Sequence, residues 1–127
     1  MSKKRILIID KDIIPMCGAG LSLITELQKH EVYTDFSYPS DTIKERLEKM
    51  KFTYSIVLIG DVQEDLPLKP SEIVAKIKEF SDVLIVMITS SQEENKKGIE
   101  MGAICRLSKN DLAYDQVNAV SKILSFI

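Results

Sequence analysis

The chain has 127 residues, 45% of them apolar and 28% charged, a balance that supports one buried core and excludes a disordered chain. Its net charge of −2 at pH 7 offers no basic face for nucleic acid, and its lysines are interleaved with glutamates, as in "KERLEKMK". The longest strongly apolar run, "VLIVMI" at 83–88, is far shorter than a membrane span.

The N-terminal "MSKKRILIID" starts basic, but its apolar run is too short for a secretory signal. Cys17 and Cys105 match no zinc or redox spacing and read as buried thiols of a reducing compartment. A cytoplasmic protein of one domain, 1–127, is expected, with no membrane partner.

In chain order, residues 4–9 form a first strand, apolar without alternation from Ile6 to Ile9, the pattern of a strand buried on both faces. Leu21, Ile24 and Leu27 recur at helical spacing, predicting a helix over 19–30. "VYTDF" (32–36) alternates and predicts a more exposed second strand. Ile43, Leu47 and Met50 mark the next helix, with Ser40 or Asp41 as N-cap. "SIVLIG" (55–60) is a third strand, of the buried type.

A loop with Pro67 and Pro70 then leads to a helix that turns Ile73, Val74, Ile77 and Phe80 inward. Residues 83–88 are a fourth strand, "SQEENKKGIEMG" a polar helix and "AICRL" (103–107) a fifth strand. Val117, Val120, Ile123 and Leu124 stripe a final helix. Five strand–helix repeats with crossovers of this length require a parallel sheet covered by helices on both faces. Function in such sheets sits beyond the carboxyl ends of the strands.

Those ends carry chemistry. Strand one ends in Asp10-Lys11-Asp12, strand three in Gly60-Asp61, strand four in Thr89-Ser90-Ser91, and strand five runs into Ser108-Lys109-Asn110. Clustered carboxylates suit a hard cation such as Mg²⁺, and a hydroxyl with an ammonium suits a phosphoryl group. Two other features read as structural. "CGAG" (17–20) lacks a third glycine and predicts a helix-start turn or close packing, and His30 caps a helix or faces solvent. No nucleophile–base pair suggests a hydrolase, and an enzyme is not expected.

"KRILIID", "IVLIGDV", "VLIVMITS" and "GAICRLSK" together resemble the receiver domain of two-component response regulators, over essentially the whole chain. The spacing from Gly102 to Lys109 is the most specific part. The resemblance implies a three-layer α/β sandwich, flavodoxin-like, with a five-stranded parallel sheet in order 2-1-3-4-5 and five helices. It also implies a phosphorelay role, with Asp61 accepting a phosphoryl group from a histidine kinase or phosphotransfer protein. Thr89 would be the hydroxyl and Lys109 the ammonium drawn to that group. Asp10 and the Gln63 carbonyl would join Asp61 around Mg²⁺, and a downstream protein would read the change.

This sequence departs from the pattern at four places. Lys11 stands where the second acid of the pair belongs, and a lysine about 4 Å from Mg²⁺ is repelled by several kcal/mol at an effective dielectric near 20. Asp12 is the alternative second acid, because residues two apart on an extended chain face one side. Counting from the strand start puts Gly60 in the acceptor place, whereas counting from "DV" puts Asp61 there. Arg106 replaces an aromatic residue, and Asn110 replaces a proline. Asp10, Asp61, Lys11 and Lys109 are together neutral, or carry −1 with Asp12. A near-neutral site suggests a second expectation, a pseudo-receiver that binds a partner without phosphorylation.

Overall fold

The computed structural model describes residues 4–15, 18–51 and 53–127. Among these residues are five parallel strands: β1 (Lys4–Ile9), β2 (Val32–Ser37), β3 (Ile56–Ile59), β4 (Leu84–Met87) and β5 (Cys105–Arg106). They lie in the order β2-β1-β3-β4-β5, the expected topology. Ile9 pairs with both Ser37 and Ile59, and Ile59 with Met87, so the carboxyl ends of the four longer strands share one rim.

Alternation along the strands divides the core into two layers. Ile6 and Ile8, with Ile56, Leu58, Val86 and Ile88, meet Leu23 and Leu27 of α1 (Gly18–Gln28). Leu112 of α5 (Lys109–Tyr114) and Ala119, Val120 and Ile123 of α6 (Gln116–Leu124) complete that layer. Leu7 and Ile9, with Val57, Ile59, Ile85 and Met87, meet α2 (Ile43–Lys49) and α3 (Pro70–Lys78) on the opposite face. α4 (Gln92–Glu100) packs beside α3. Because both faces are covered, Ile6 through Ile9 are at most 1% exposed, which explains an apolar run without alternation.

Several expectations are corrected. The described residues form six helices rather than five, because Asp115 leaves helical geometry (φ −139°, ψ 64°) and its carboxylate instead accepts from the Asn118 amide to start α6. β5 has only two residues. α1 buries Gly20, Leu23 and Leu27, leaving Leu21 exposed, so the buried stripe is rotated from the expected one. Phe80 lies beyond the end of α3 and Val117 on the outer side of α6, and both are exposed. α2 is preceded by Thr42, and neither Ser40 nor Asp41 caps it.

Gly20 explains much of "CGAG". A Cβ there would lie 1.7 Å from the Ile14 carbonyl oxygen, so the motif is a close-packing device. Cys17 falls outside the described residues. Cys105 is half-buried, and burial pushes its thiol pKa upward. His30 is exposed beyond the end of α1. Among the described residues, no helix is long and apolar enough to cross a membrane.

Candidate functional site

Asp10 is the first residue beyond β1 and is 1% exposed. A buried carboxylate needs compensation for its lost hydration, and the surrounding donors supply it. Asp10 Oδ1 accepts from the amides of Asp12 (2.6 Å) and Ile13 (2.9 Å). Its Oδ2 accepts from the Asp61 amide (2.9 Å) and forms an ion pair with the Lys109 ammonium (2.9 Å). Three amides and one ammonium thus compensate the buried charge. Asp10 thereby shapes the rim, its carboxylate braced by three backbone amides and the Lys109 ammonium.

Gly60 and Asp61 separate cleanly. A Cβ at Gly60 would lie 1.8 Å from Asp10 Oδ2, so the buried carboxylate passes where any side chain would stand. Asp61, the next residue, turns its carboxylate into the rim. Packing against Asp10 thus accounts for a glycine at position 60.

The Lys109 ammonium is the hub of the site. It lies 2.9 Å from Asp10 Oδ2, 2.8 Å from Asp12 Oδ2 and 2.6 Å from Asp61 Oδ2, pairing with all three carboxylates and donating hydrogen bonds to Asp12 and Asp61. Ser108 caps α5 by accepting from the Asp111 amide, which makes Lys109 the first helical residue and aims it across the sheet. Burial disfavours the ammonium, but the three carboxylates outweigh it and raise the Lys109 pKa. Burial likewise opposes ionisation of Asp61. Hydrogen bonds from Lys109 and Ser90 overcome that penalty and lower its pKa. The Lys109 hydrogen bond is the main cause of the lowered pKa of Asp12.

Lys11 donates its backbone amide to the Asp61 carbonyl (2.9 Å) and leaves its side chain at the opening, 38% exposed. Its ammonium is 3.5 Å from Asp12 Oδ1. The cation inside the cluster is Lys109, while Lys11 stands at the edge. Asp12 does join the site, and with it the five groups sum to a formal −1.

The hydroxyl geometry was not legible beforehand. Thr89, 4% exposed, faces α4, where its Oγ1 donates to Asn95 Oδ1 (2.7 Å) and to the Ser91 carbonyl (2.8 Å). Asn95, 2% exposed, also accepts from the Thr89 amide (3.1 Å) and donates to its carbonyl (3.1 Å). α4 is itself tied down, because Glu94 accepts from the amide (3.1 Å) and hydroxyl (2.9 Å) of Ser71 at the start of α3. Ser90 occupies the place on Asp61. Its amide spans both carboxylate oxygens (3.1 and 3.2 Å), and its hydroxyl donates to Asp61 Oδ2. The structure thus brings Asp10, Asp12, Asp61 and Lys109 together and keeps the Thr89 hydroxyl away. Asn95 had one sequence signal, a poor helix former inside a helix, where such residues bond to nearby backbone.

Asp12, Asp61, Gln63 and Glu64 line an open cleft of about 450 Å³, with Lys11 and Ser90 on its walls. Among the described residues, no three acidic, histidine or cysteine side chains form a ready metal cage. Mg²⁺ does not require one, since it keeps several waters and uses one or two carboxylates. Asp12 and Asp61 on a wet cleft fit that donor chemistry. The Gln63 carbonyl accepts from the Leu66 amide (3.1 Å) and retains a second lone pair.

Three solved structures share this arrangement of strands and helices. A CheY-like response regulator receiver domain of Methanospirillum hungatei JF-1 superposes with a TM-score of 0.69 at 19% identity, over 98% of this chain and 95% of that one. The fold is that of response-regulator receivers. An orphan response regulator of H. pylori gives 0.71 at 21% identity, over 97% and 95%. A response regulator receiver protein of Pseudomonas putida gives 0.67 at 14%, over 99% and 96%. No protein-family model and no curated protein matches the sequence. The receiver likeness is therefore one of fold, and the site chemistry must be argued from this chain's own residues.

Proposed function

We propose that this chain is a receiver-type signalling module that accepts a phosphoryl group on Asp61 from a histidine kinase, a phosphotransfer protein or a small phosphodonor. The observation that carries this reading is the Asp61 carboxylate, which stands between Lys109 and Ser90 on an open cleft. Its lowered pKa keeps it ionised at neutral pH. Asp61 Oδ1 carries only the Ser90 amide among the described donors, so it keeps a lone pair for attack on phosphorus. The new P–O bond forms as the bond from phosphorus to the donor's leaving oxygen or nitrogen breaks. The leaving atom keeps that electron pair.

Lys109 and the Ser90 amide already point to where negative charge gathers, so little reorganisation is required. Mg²⁺, held by Asp12, Asp61 and the Gln63 carbonyl, would neutralise charge on the phosphoryl oxygens. The module switches state and does not turn over a substrate as an enzyme does. Its output passes to a protein partner through the α4–β5 side, where Ile99 (41%), Met101 (51%) and Ile104 (42%) are exposed.

Incubation with acetyl phosphate and Mg²⁺, followed by intact-mass measurement, tests the reading. One added phosphoryl group on the wild type and none on Asp61→Asn is expected; an unmodified wild type overturns it.

The alternative is a pseudo-receiver adaptor, favoured by one observation: the Lys109 ammonium already lies within 2.9 Å of three carboxylates, so their charge is largely balanced without a metal. This reading expects no heat of Mg²⁺ binding in calorimetric titration. It also expects partner binding unchanged by Asp61→Ala.

A further inference from the structure

We infer that Ser90, rather than Thr89, supplies the hydroxyl that donates to the phosphoryl group on Asp61. This rests on the acceptor role proposed above, and two sets of contacts lead to it. The Thr89 hydroxyl has one proton, shared between Asn95 Oδ1 and the Ser91 carbonyl, and its oxygen also accepts from the Ser91 amide (3.1 Å). To reach Asp61 it would have to leave three partners, and Asn95 Oδ1 would keep only the Thr89 amide. Asn95 also grips the backbone of Thr89 on both sides, so the residue is held as well as its side chain.

Ser90 has no such cost. Its side chain is exposed, and its hydroxyl and amide already rest on the Asp61 carboxylate. When Asp61 Oδ1 bonds to phosphorus, the carboxylate charge moves out onto the phosphoryl oxygens. The Ser90 hydroxyl follows it by rotation about one side-chain bond, and no backbone shift is needed. Ser90 is a catalytic residue in this scheme, since it touches the reacting carboxylate. Thr89 and Asn95 position it by fixing the strand end from which it projects.

The test compares initial rates of phosphoryl incorporation from acetyl phosphate for the wild type, Ser90→Ala, Ser90→Thr and Thr89→Val. Removing a donor to developing charge slows reactions on the order of 100-fold. Ser90→Ala should therefore lose more than about tenfold, Ser90→Thr should recover most of the rate, and Thr89→Val should lose less than Ser90→Ala. Wild-type incorporation with Ser90→Ala equally fast overturns the inference and leaves the Asp61 reading standing. A larger loss in Thr89→Val than in Ser90→Ala also overturns it. No incorporation in the wild type overturns both. Should Thr89→Val fail to fold, the loss in Ser90→Ala and its recovery in Ser90→Thr decide alone.

Discussion

Two polar clusters flank the end of β4, and they differ in almost every physical respect. The Asp10–Asp12–Asp61–Lys109 cluster is ionic, borders an open cleft and spans strand ends far apart in sequence. The Thr89–Asn95 pair is neutral, buried and six residues apart. A charged cluster on a wet cleft can exchange partners, because water and ions compensate each broken contact. A buried amide–hydroxyl pair has no such compensation and behaves as a fixed bracket. The first cluster is thus physically suited to chemistry and the second to positioning.

Gly60→Ala should have the largest effect, since its Cβ falls 1.8 Å from Asp10 Oδ2 at the foot of the ionic cluster. Overpacking of this kind costs about 3 kcal/mol at its upper range, read as a lower urea midpoint. An undiminished midpoint would mean that Asp10 is not held as described.

Lys109→Met comes next, at about 2 kcal/mol. That is below the roughly 3–5 kcal/mol for breaking a fully buried pair, because the lysine side chain is 17% exposed. The same variant should gain stability on adding Mg²⁺, by more than the wild type does, as the metal replaces the missing cation.

The pH dependence sharpens the contrast. The pKa values of Asp12 and Asp61 are lowered from 3.8, so their contribution is present above that value and lost as pH falls through the lower folded values. Lys109, raised from 10.5, contributes fully below that value and loses its contribution as pH rises through its higher folded value. Acid titration of Lys109→Met should therefore show a shallower loss than the wild type. Asn95→Ala, by contrast, should cost about 1–2 kcal/mol, with the same penalty at pH 5 and pH 8, because no group in that pair titrates.

Tyr54→Phe should have the smallest effect. Tyr54 donates to Asp35 Oδ2 (2.9 Å) on the far side of the sheet, worth about 1 kcal/mol. Burial and Asp35 push its pKa from 10.0 up to about 12, so this contribution is whole below pH 10 and disappears as pH rises toward 12. A loss larger than that of Asn95→Ala would reverse the ranking.

Much of this molecule was legible in the sequence, unevenly. Unbroken apolar runs such as Ile6–Ile9 announce strands covered on both sides, and their alternation with helical periodicity dictates a parallel sheet. Strand ends then had to collect Asp10, Asp61 and Lys109 on one rim. The spacing could not say which stripe of α1 faces inward, since Leu21 and Leu23 are equally apolar. Asp115 as a helix break was hidden as well, because an aspartate both caps helices and sits within them.

What the sequence by itself determined was the order of elements, the buried strands and the set of residues at the rim. All of these follow from hydrophobic pattern and chain direction. Only the tertiary structure decided how that rim is wired. It put Lys109 rather than Lys11 at the centre of three carboxylates, explained Gly60 by the passage of Asp10, and turned Thr89 toward Asn95 while Ser90 reached Asp61. Those choices depend on ångström-scale competition for a few donors and acceptors among segments distant in the chain. No local pattern encodes that competition.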